Sequence, residues 1–445
     1  MTLLASSENA ILRHDRRQRA VHLLALTYVH LWILEGAFRK WIPQLDSAFY
    51  FARDGILILG IAVVFVLYGP PTYRRWVSYI LWALVSVWAI LLAIQVTQLD
   101  VPILVGVAGV RNYIAPILLP ILVARDGFGS LVPRLFRTIA LYGPVQAALT
   151  LVQVSSPRTA WINIQTGGDE AFFTTAGGIV RASGTFSAPA GLILFATLCL
   201  IAGLVITSGK SEVSPWLGWL AIVSAIVLIA IGGSRGAVFA AAFVLVAWFC
   251  HTAIVMRPRQ VLVMVAVFAV GTAAGWAVIN AVPAVFDAFV MRFVNASQDE
   301  NTVQRLGRAV FGFNDQPIPF LGGGAGIYSS IGIALGSGKS WIEVDSTRWV
   351  AELGFVGFAL AWLRVLLAAA LAASIVLGSR RSPLSSSLSA AGLIQVLLFG
   401  SITTQPSTQG YFGILLVIFL STKMRERTHS RGEQEVAQSP LVSSP

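Results

Sequence analysis

Residues 187–207 read SAPAGLILFATLCLIAGLVIT, an apolar run that no charged side chain interrupts. A helix needs about 20 mostly apolar residues to cross the hydrocarbon core of a bilayer. This run has that length, so it predicts a membrane-spanning helix. Comparable runs recur on both sides of it, and the same prediction therefore extends over most of the chain.

The composition of the whole chain agrees with this prediction. Of its 445 residues, 56% are hydrophobic and only 11% are charged, whereas a soluble domain carries about 25% charged residues. Too little polar surface remains to cover a water-exposed globule, so the composition predicts an all-α polytopic membrane protein. The net charge of +11 does not indicate nucleic-acid binding, because the basic residues lie between the apolar runs.

Twelve segments are predicted to cross the membrane, and the distribution of Lys and Arg predicts their orientation. The segments lie near residues 20–38, 53–69, 76–96, 101–124, 135–154, 187–207, 215–232, 236–255, 260–282, 349–375, 385–402 and 407–422. Cytoplasmic connections are enriched in Lys and Arg. With the N-terminus in the cytoplasm, every short cytoplasmic connection carries at least one, whereas the outer connections near 97–100 and 403–406 carry none. An even number of spans then places both termini in the cytoplasm.

The predicted layout consists of a cytoplasmic segment over 1–19, a transmembrane domain over 20–425 and a disordered cytoplasmic tail over 426–445. Two outer loops, 155–186 and 283–348, are longer than ordinary connections. Both contain Trp and Phe residues, which disorder does not favour. We expect them to form ordered extracytoplasmic caps with short helices, including one along the membrane interface between Phe286 and Phe313.

Ionisable side chains in or at the edge of a membrane are costly, which makes them candidates for function. Four arginines are predicted at the outer boundary or within reach of it: Arg111, Arg181, Arg235 and Arg348. Their planar donors suit phosphate, so together they predict a site for an anionic head group such as a diphosphate. The alternative for Arg235 and Arg348 is a snorkelling anchor, although the glycines around Arg235 favour close approach of a ligand. Arg364, deeper in its span, is predicted to be structural.

The base of such a site is predicted to be a carboxylate, because none of the five histidines falls in an outer loop. Glu343 and Asp345 lie where the chain re-enters the membrane, just ahead of the predicted span at 349–375. Partial burial there raises the pKa of a carboxyl group toward the range of a general base. For Asp345 the alternative is a helix N-cap, a role that Ser346 can also fill.

Three short elements, in this order, resemble the O-antigen ligase and polysaccharide polymerase superfamily of bacterial envelope enzymes. The first is Arg181–Phe186 followed by Pro189, similar to the arginine element of that family ahead of a helix. The second is Ser234–Ala237, similar to its Ser-Arg-Gly-Ala turn. The third begins at Glu343, which stands where many members have a histidine.

The third element ends in Glu352, Gly354 and Gly357, which match the end of the family motif. The change from histidine to glutamate makes the chain more similar to polymerases of exopolysaccharide clusters, which also share an early element. In this chain the early element consists of Glu35, Gly36, Arg39, Lys40 and Trp41, followed by Arg53 and Asp54.

The resemblance implies a GT-C-like glycosyltransferase of the bacterial inner membrane with its active site facing the periplasm. It implies a polyprenyl-diphosphate-linked glycan donor, a glycan acceptor, contact with membrane lipids, and a chain-length regulator and flippase of the same pathway as partners. It also implies that Arg181 and Arg235 hold the diphosphate and that Glu343 acts as base. No metal or other cofactor is expected, because diphosphate is already a good leaving group. Substrate binding is further assigned to Arg111, Tyr113, Ser234, Asp345 and Arg348.

The expected activity is polymerisation of lipid-linked repeat units into an exopolysaccharide or O-antigen-type polymer. One alternative is an O-antigen ligase, which transfers the glycan from its lipid carrier to a different acceptor. The other is a transporter of lipid-linked glycan or another anion. A transporter favours charges at mid-bilayer on several helices, whereas the charges here collect toward one side.

Overall fold

The computed structural model describes residues 2–69, 75–99, 101–123, 131–166, 180–208, 211–255, 258–281, 302–336, 339–378 and 382–438, with the single positions 283, 287 and 290. Within these residues the regular structure consists of α-helices and short 3-10 turns, with no β-strand. The first nine helices are α1 (Thr2–Trp41), α2 (Asp46–Tyr68), α3 (Arg75–Gln98), α4 (Ile103–Val123), α5 (Leu131–Ser155), α6 (Pro189–Ser208), α7 (Pro215–Ile231), α8 (Arg235–Val255) and α9 (Pro258–Ala281). The later ones are α10 (Thr302–Phe311), α11 (Ser330–Ala334), α12 (Asp345–Leu353), α13 (Phe355–Gly378), α14 (Leu384–Phe399) and α15 (Pro406–Gln438).

The prediction of an α-helical polytopic membrane protein is confirmed. Among the described residues, eight helices are long and apolar enough to cross a membrane: α1, α2, α4, α5, α6, α8, α9 and α13. Three shorter apolar helices are the second half of α3, all of α7 and all of α14. Each of the twelve predicted segments coincides with a helix, since α15 covers the last of them.

The quoted run at 187–207 forms the centre of the bundle. It becomes α6, which is buried along almost its whole length and packs against α5, α7, α8, α14 and α15. A helix that is apolar on every face is stable inside a protein, where neighbouring helices cover all of its sides. Glycines permit close contact with α7, since a Cβ at Gly203 would lie 2.6 Å from the side chain of Ile222.

Antiparallel packing brings several connections to one end of the bundle. Phe243 of α8 packs against Phe399 at the end of α14, with ring centroids 6.0 Å apart, while His251 Nδ1 lies 3.1 Å from Ser387 Oγ. The first residues of α8 and the last of α14 therefore share one end. We call this the cap end; it also carries the described parts of 156–188 and 302–344, and Trp161 packs there on Trp41 with centroids 5.5 Å apart.

The prediction of one continuous span over 349–375 was wrong at its start. The chain forms the short helix α12, breaks at Gly354, and begins α13 at Phe355. Gly354 has a φ of 60°, in the left-handed region that ends helices and favours glycine. Arg348 therefore lies on a separate helix ahead of the spanning one. A Cβ at Gly357 would lie 1.8 Å from the Trp349 carbonyl oxygen, so this glycine lets α12 fold back on α13.

Both chain ends are more helical than the sequence predicted. The helix α1 begins at Thr2, so residues 2–19 continue into the first predicted span. At the other end α15 continues to Gln438, so 426–438 are helical where the sequence predicted disorder. Good helix formers such as Glu433, Gln434 and Glu435 can extend a helix that the bundle has already nucleated. Residues 439–445 lie outside the described residues.

The two long connections contain short helices, as predicted. The first has a 3-10 turn at Trp161–Asn163, and the second has α10 and α11. Arg364 of α13 donates hydrogen bonds of 3.2 and 3.0 Å to the carbonyl oxygens of Ala309 and Val310 at the end of α10, in agreement with its structural interpretation. Most of the predicted interfacial helix before residue 302 lies outside the described residues.

Candidate functional site

The segment at 180–188 is held in place by two glutamines of α5. Gln153 Oε1 accepts a hydrogen bond of 2.8 Å from the Gly184 amide, and Gln146 Oε1 accepts one of 3.1 Å from the Thr185 amide. Gly184 has a φ of 58°, and a Cβ there would lie 2.3 Å from Gln146 Oε1. The glycine is therefore required both by the backbone conformation and by the close approach of Gln146.

Lys40, near the end of α1, is bound to the same segment. Its Nζ donates hydrogen bonds of 2.9 Å to Ser183 Oγ and 2.6 Å to the Gly184 carbonyl oxygen. The residue is only 1% exposed, and its Nζ lies 5.5 Å from the centroid of the Trp41 ring. Among the described residues no carboxylate pairs with Lys40, and the acceptors of its Nζ are neutral oxygens.

Arg181 precedes this contact by two residues and is also uncompensated. Its side chain is partly buried, its Nε has no hydrogen-bond partner among the described residues, and no carboxylate of the described chain pairs with it. Burial lowers the pKa of the Arg181 guanidinium. Because Lys40 is bound to Ser183 and Gly184, the two cations belong to one small region of the cap end.

Arg235 is the first residue of α8, after a tight turn in which Gly233 has a φ of 53°. The contacts between α6 and α7 show at which level of the bundle Arg235 lies. In these contacts Gly203 faces Ile222 and Gly218 faces Thr207. Continued along the two antiparallel helices, this register places the turn level with the start of α6, directly after the Arg181 segment.

Arg235 is half-buried, and in the described chain it has no ion pair. Ser234, the residue before it, is buried. We refer to Lys40, Arg181 and Arg235 as the unpaired cations.

Arg111, by contrast, belongs to a buried network of alternating charges. Its NH2 group pairs with Asp54 Oδ2, and Arg53 Nε lies 3.1 Å from Asp54 Oδ1. The network consists of Glu35, Arg39, Asp46, Arg53, Asp54 and Arg111. Its three arginines and three carboxylates balance in formal charge, so this "Arg53 network" has no excess positive charge to offer an anion.

Arg348 is also compensated. It is fully buried, with NH2 at 3.1 Å from Asp345 Oδ1 and NH1 at 3.6 Å from Glu352 Oε1. Asp345 also accepts hydrogen bonds of 2.8 Å from the Thr403 amide and 2.6 Å from Thr404 Oγ1. Both oxygens of Asp345 are therefore occupied.

The alternative role of Asp345 as a helix N-cap is not observed, because Val344 occupies that position without a side-chain hydrogen bond. Burial raises the pKa of the Glu352 carboxyl, and the nearby Arg348 guanidinium acts to lower it. We call Asp345, Arg348 and Glu352 the Arg348 network.

Helix α4 connects the two networks through three consecutive residues. Arg111 binds Asp54, the carbonyl oxygen of Asn112 accepts a hydrogen bond of 3.4 Å from Gln409, and Tyr113 Oη donates one of 2.8 Å to Glu352 Oε2. Successive residues of a helix point about 100° apart, so α4 contacts α2, α15 and α12 at one level of the bundle. Tyr113 and Arg111, both predicted to bind substrate, are thus engaged within the protein.

Glu343 lies two residues before α12, at the cap end. Its side chain is exposed, where the sequence led us to expect partial burial, and it has no hydrogen bond or ion pair to the described residues. Of the two carboxylates predicted as base, it is therefore the one whose oxygens are free to meet an acceptor.

The structure divides the predicted site residues into two groups. Arg181, Arg235 and Glu343 form no ion pair with the described residues, and Ser234 precedes Arg235 in the same turn. Arg111, Tyr113, Asp345 and Arg348 are instead bound in the two networks. The sequence predicted no role in the site for Lys40, Gln146 or Gln153. The available signal was the polarity of Gln146 and Gln153 inside a predicted span, and their spacing of seven puts both on one face of α5.

No family model, no curated protein and no solved structure matches this chain.

Proposed function

We propose that this protein is a membrane glycosyltransferase that polymerises polyprenyl-diphosphate-linked oligosaccharide units into an exopolysaccharide or O-antigen-type polymer. The observation that carries the proposal is that three basic residues at the cap end, Lys40, Arg181 and Arg235, have no carboxylate partner among the described residues. The other arginines of the predicted site are neutralised by carboxylates. Partly buried cations without counter-ions are costly, and a bound anion would remove that cost.

A diphosphate attached to a lipid fits this arrangement. It carries multiple negative charges, which match several cationic donors, and its hydrocarbon tail keeps it at the membrane boundary. Fixed donors that hold the leaving diphosphate stabilise charge as it develops in the transition state, and loss of one such donor typically costs about 3–4 kcal/mol. The exposed indole of Trp161, packed against Trp41, offers an aromatic surface beside the cations for a sugar ring.

In the proposed reaction, an acceptor hydroxyl oxygen attacks the anomeric carbon of the donor sugar. The bond from that carbon to the diphosphate oxygen breaks, and the diphosphate leaves with the bonding electrons. Glu343 accepts the hydroxyl proton, because its carboxylate is exposed whereas both oxygens of Asp345 are occupied. The general base contributes about 100- to 10,000-fold to such a step.

The proposed orientation places the cap end outside the cytoplasm of a bacterial inner membrane, with twelve spans and both termini inside. It rests on the enrichment of Lys and Arg in the short connections at the opposite end. In this orientation the acceptor glycan approaches from the periplasm, beneath the segments that contain Trp161 and α10.

The decisive test is a glycosyl-transfer assay with purified protein in lipid vesicles that contain a polyprenyl-diphosphate-linked oligosaccharide. The wild-type protein should form longer lipid-linked glycans, and Arg235→Ala should reduce this by about 100-fold or more while the protein remains folded in the membrane. The matched control is Arg19→Ala, which removes an exposed arginine at the other end of the bundle and should leave transfer unchanged.

The same assay separates the rival functions. A transporter would move the lipid-linked glycan between leaflets without forming a glycosidic bond. A ligase would use the donor only when a different acceptor is added. Polymer of normal length and yield from Arg235→Ala would contradict the proposed role of the unpaired cations.

A further inference from the structure

The connection between α14 and α15, residues 400–405, lies inside the protein, whereas most connections run over the surface. Ile402, Thr403 and Thr404 are buried, and the other residues of the connection are half-buried. It carries no charged side chain. A buried connection needs partners for its polar groups, and here side chains of the two charge networks supply them.

One side of the connection is bound to α12. The Thr403 amide donates a hydrogen bond of 2.8 Å to Asp345 Oδ2, and Thr404 Oγ1 donates one of 2.6 Å to Asp345 Oδ1. Thr403 Oγ1 accepts hydrogen bonds from Arg348 NH2 and, at 2.7 Å, from Trp349 Nε1. A hydroxyl oxygen has two acceptor lone pairs, so α12 occupies both of those on Thr403 Oγ1.

The other side of the connection, at the start of α15, is bound to the Arg53 network. Arg53 NH1 donates a hydrogen bond of 2.6 Å to the Pro406 carbonyl oxygen, and NH2 donates one of 3.2 Å to Gln409 Oε1. The third nitrogen, Nε, lies 3.1 Å from Asp54 Oδ1. The same guanidinium therefore joins the charge network to the end of the connection.

The chain between the two attachment points is short and stiff. Thr403 and Pro406 are separated by at most about 11 Å of extended chain. The Gln405 amide donates a hydrogen bond of 3.1 Å to the Ser401 carbonyl oxygen, and the ring of Pro406 fixes its φ. A displacement at Arg53 is therefore passed on to Thr403 instead of being absorbed between them.

We propose that the α14–α15 connection couples the Arg53 network to α12, so that the docking of α12 depends on Arg53. Arg53 itself has no hydrogen bond or ion pair to α12 in the described chain. Glu343 lies two residues before α12, so the coupling also sets the position of the proposed base. This last consequence rests on the proposed function, whereas the coupling does not.

Helix α4 also touches both networks, through Arg111 and Tyr113, so a test must separate the two routes. Independent routes give effects that multiply, whereas two changes along one route do not. Variants at the two ends of the connection therefore provide the test.

The experiment measures hydrogen–deuterium exchange by mass spectrometry in peptides that cover 345–353, with full-length protein in lipid nanodiscs. Arg53→Lys keeps the charge and loses the planar fork of donors. Thr403→Val keeps the shape and loses the oxygen that accepts from α12. One matched control is Arg39→Lys, the same change at a residue whose ion pairs lie within α1 and α2. The other is Thr403→Ser, which keeps the hydroxyl.

Arg53→Lys and Thr403→Val should each raise the exchange rate of the α12 amides about tenfold, and both controls should exchange as the wild type does. Because Thr403→Val already breaks the coupling, the double variant should exchange at most about threefold faster than Thr403→Val alone. Two independent effects would instead multiply to about 100-fold.

The inference is overturned if the two effects multiply, because Arg53 then acts on α12 by another route such as α4. It is also overturned if folded Arg53→Lys leaves α12 exchange unchanged, or if Arg39→Lys raises it equally. Should Arg53→Lys not fold, Gln409→Met removes one hydrogen bond of Arg53 without changing a charge and is judged by the same outcomes.

Exchange needs no turnover, so the two proposals fail separately. Coupling without glycosyl transfer would reject the proposed activity and retain the coupling. Glycosyl transfer with independent effects on exchange would reject only the coupling.

Discussion

The ammonium group of Lys40 donates a hydrogen bond of 2.6 Å to the carbonyl oxygen of Gly184, which lies 144 residues away in the chain. This contact joins the end of α1 to the segment that carries Arg181. No carboxylate in the described chain neutralises either cation. Arg53 and Arg348, which are as deeply buried as Lys40, are each bound to acidic side chains. Removal of a paired cation should therefore destabilise the protein, whereas removal of an unpaired one should leave its stability the same or raise it.

Replacement of Lys40 by methionine should remove activity and preserve the fold. The methionine retains the apolar stem and removes a buried amino group that no carboxylate of the described chain neutralises, so the unfolding temperature should stay the same or rise. Loss of one cationic donor to the diphosphate should lower transfer by about 100-fold. Transfer by purified protein and thermal unfolding in detergent measure the two effects.

Lys423→Met is the matched control for this prediction. Lys423 also donates to a serine hydroxyl, Ser382 Oγ at 2.6 Å, but it lies at the opposite end of the bundle. Transfer should be normal in this variant. If Lys40→Met instead transferred normally, or unfolded at a lower temperature, Lys40 would have only a structural role.

Arg111 and Asp54 should behave as a coupled structural pair. Arg111→Gln removes one of the two guanidinium partners of Asp54, and Asp54→Asn removes the carboxylate that pairs with Arg111. Each change should therefore lower the free energy of unfolding, by at most about 3–5 kcal/mol. The double variant should lose less than the sum, with a coupling of about 0.5–3 kcal/mol. Unfolding of the four proteins in mixed micelles gives this value.

The control cycle pairs Asp54→Asn with Arg235→Ala. Arg235 has no ion pair in the described chain, so the two effects on stability should add to within about 0.5 kcal/mol. If the effects of Arg111→Gln and Asp54→Asn on the free energy of unfolding were additive as well, paired and unpaired cations would not differ in their contribution to stability.

The positions of the helices were predictable because the membrane imposes a simple rule on sequence. Each span must be apolar over about 20 residues, and runs such as 187–207 satisfy it without ambiguity. The break at Gly354 was not predictable from hydropathy, because apolar residues continue on both sides. It depends on a left-handed backbone conformation and on contact between Gly357 and Trp349, which are tertiary features.

The candidate site was predictable in its residue types but not in their pairing. The sequence places Arg111, Arg181, Arg235 and Arg348 at the outer boundary or within reach of it. Which of them has a counter-ion depends on packing between distant helices, as when Arg111 of α4 meets Asp54 of α2. Lys40 was quoted only as part of a motif, because its burial against Ser183 and Gly184 arises from a contact between α1 and a remote segment.

Glu343 and Asp345, two residues apart, should respond differently to loss of charge. Glu343→Gln should reduce transfer by about 100- to 10,000-fold with no change in the unfolding temperature, because the side chain is exposed. Asp345→Asn places an amide donor against groups that already donate, so it should lower the free energy of unfolding by about 1–3 kcal/mol. Normal transfer by Glu343→Gln would exclude it as the base.

The Glu352 carboxyl should make the stability of the protein depend on pH. Burial raises its pKa, and the Arg348 guanidinium opposes that shift only in part. The native protein then binds this proton more tightly than the unfolded chain does. The free energy of unfolding should therefore fall as pH rises from the ordinary glutamate pKa, about 4.3, to the raised native value, and this contribution should be constant above it.

The comparison of wild type with Glu352→Gln isolates that contribution. Glutamine can still accept the 3.2 Å hydrogen bond from the Tyr328 amide, but it cannot titrate. Thermal unfolding in detergent, measured at several pH values above the ordinary glutamate pKa, should show a decline in wild type that is smaller in the variant. The variant should also be less stable at high pH, because Arg348 loses one of its two carboxylate partners. An identical pH dependence in both proteins would mean that Glu352 is ionised in the native state at the same pH as in the unfolded chain.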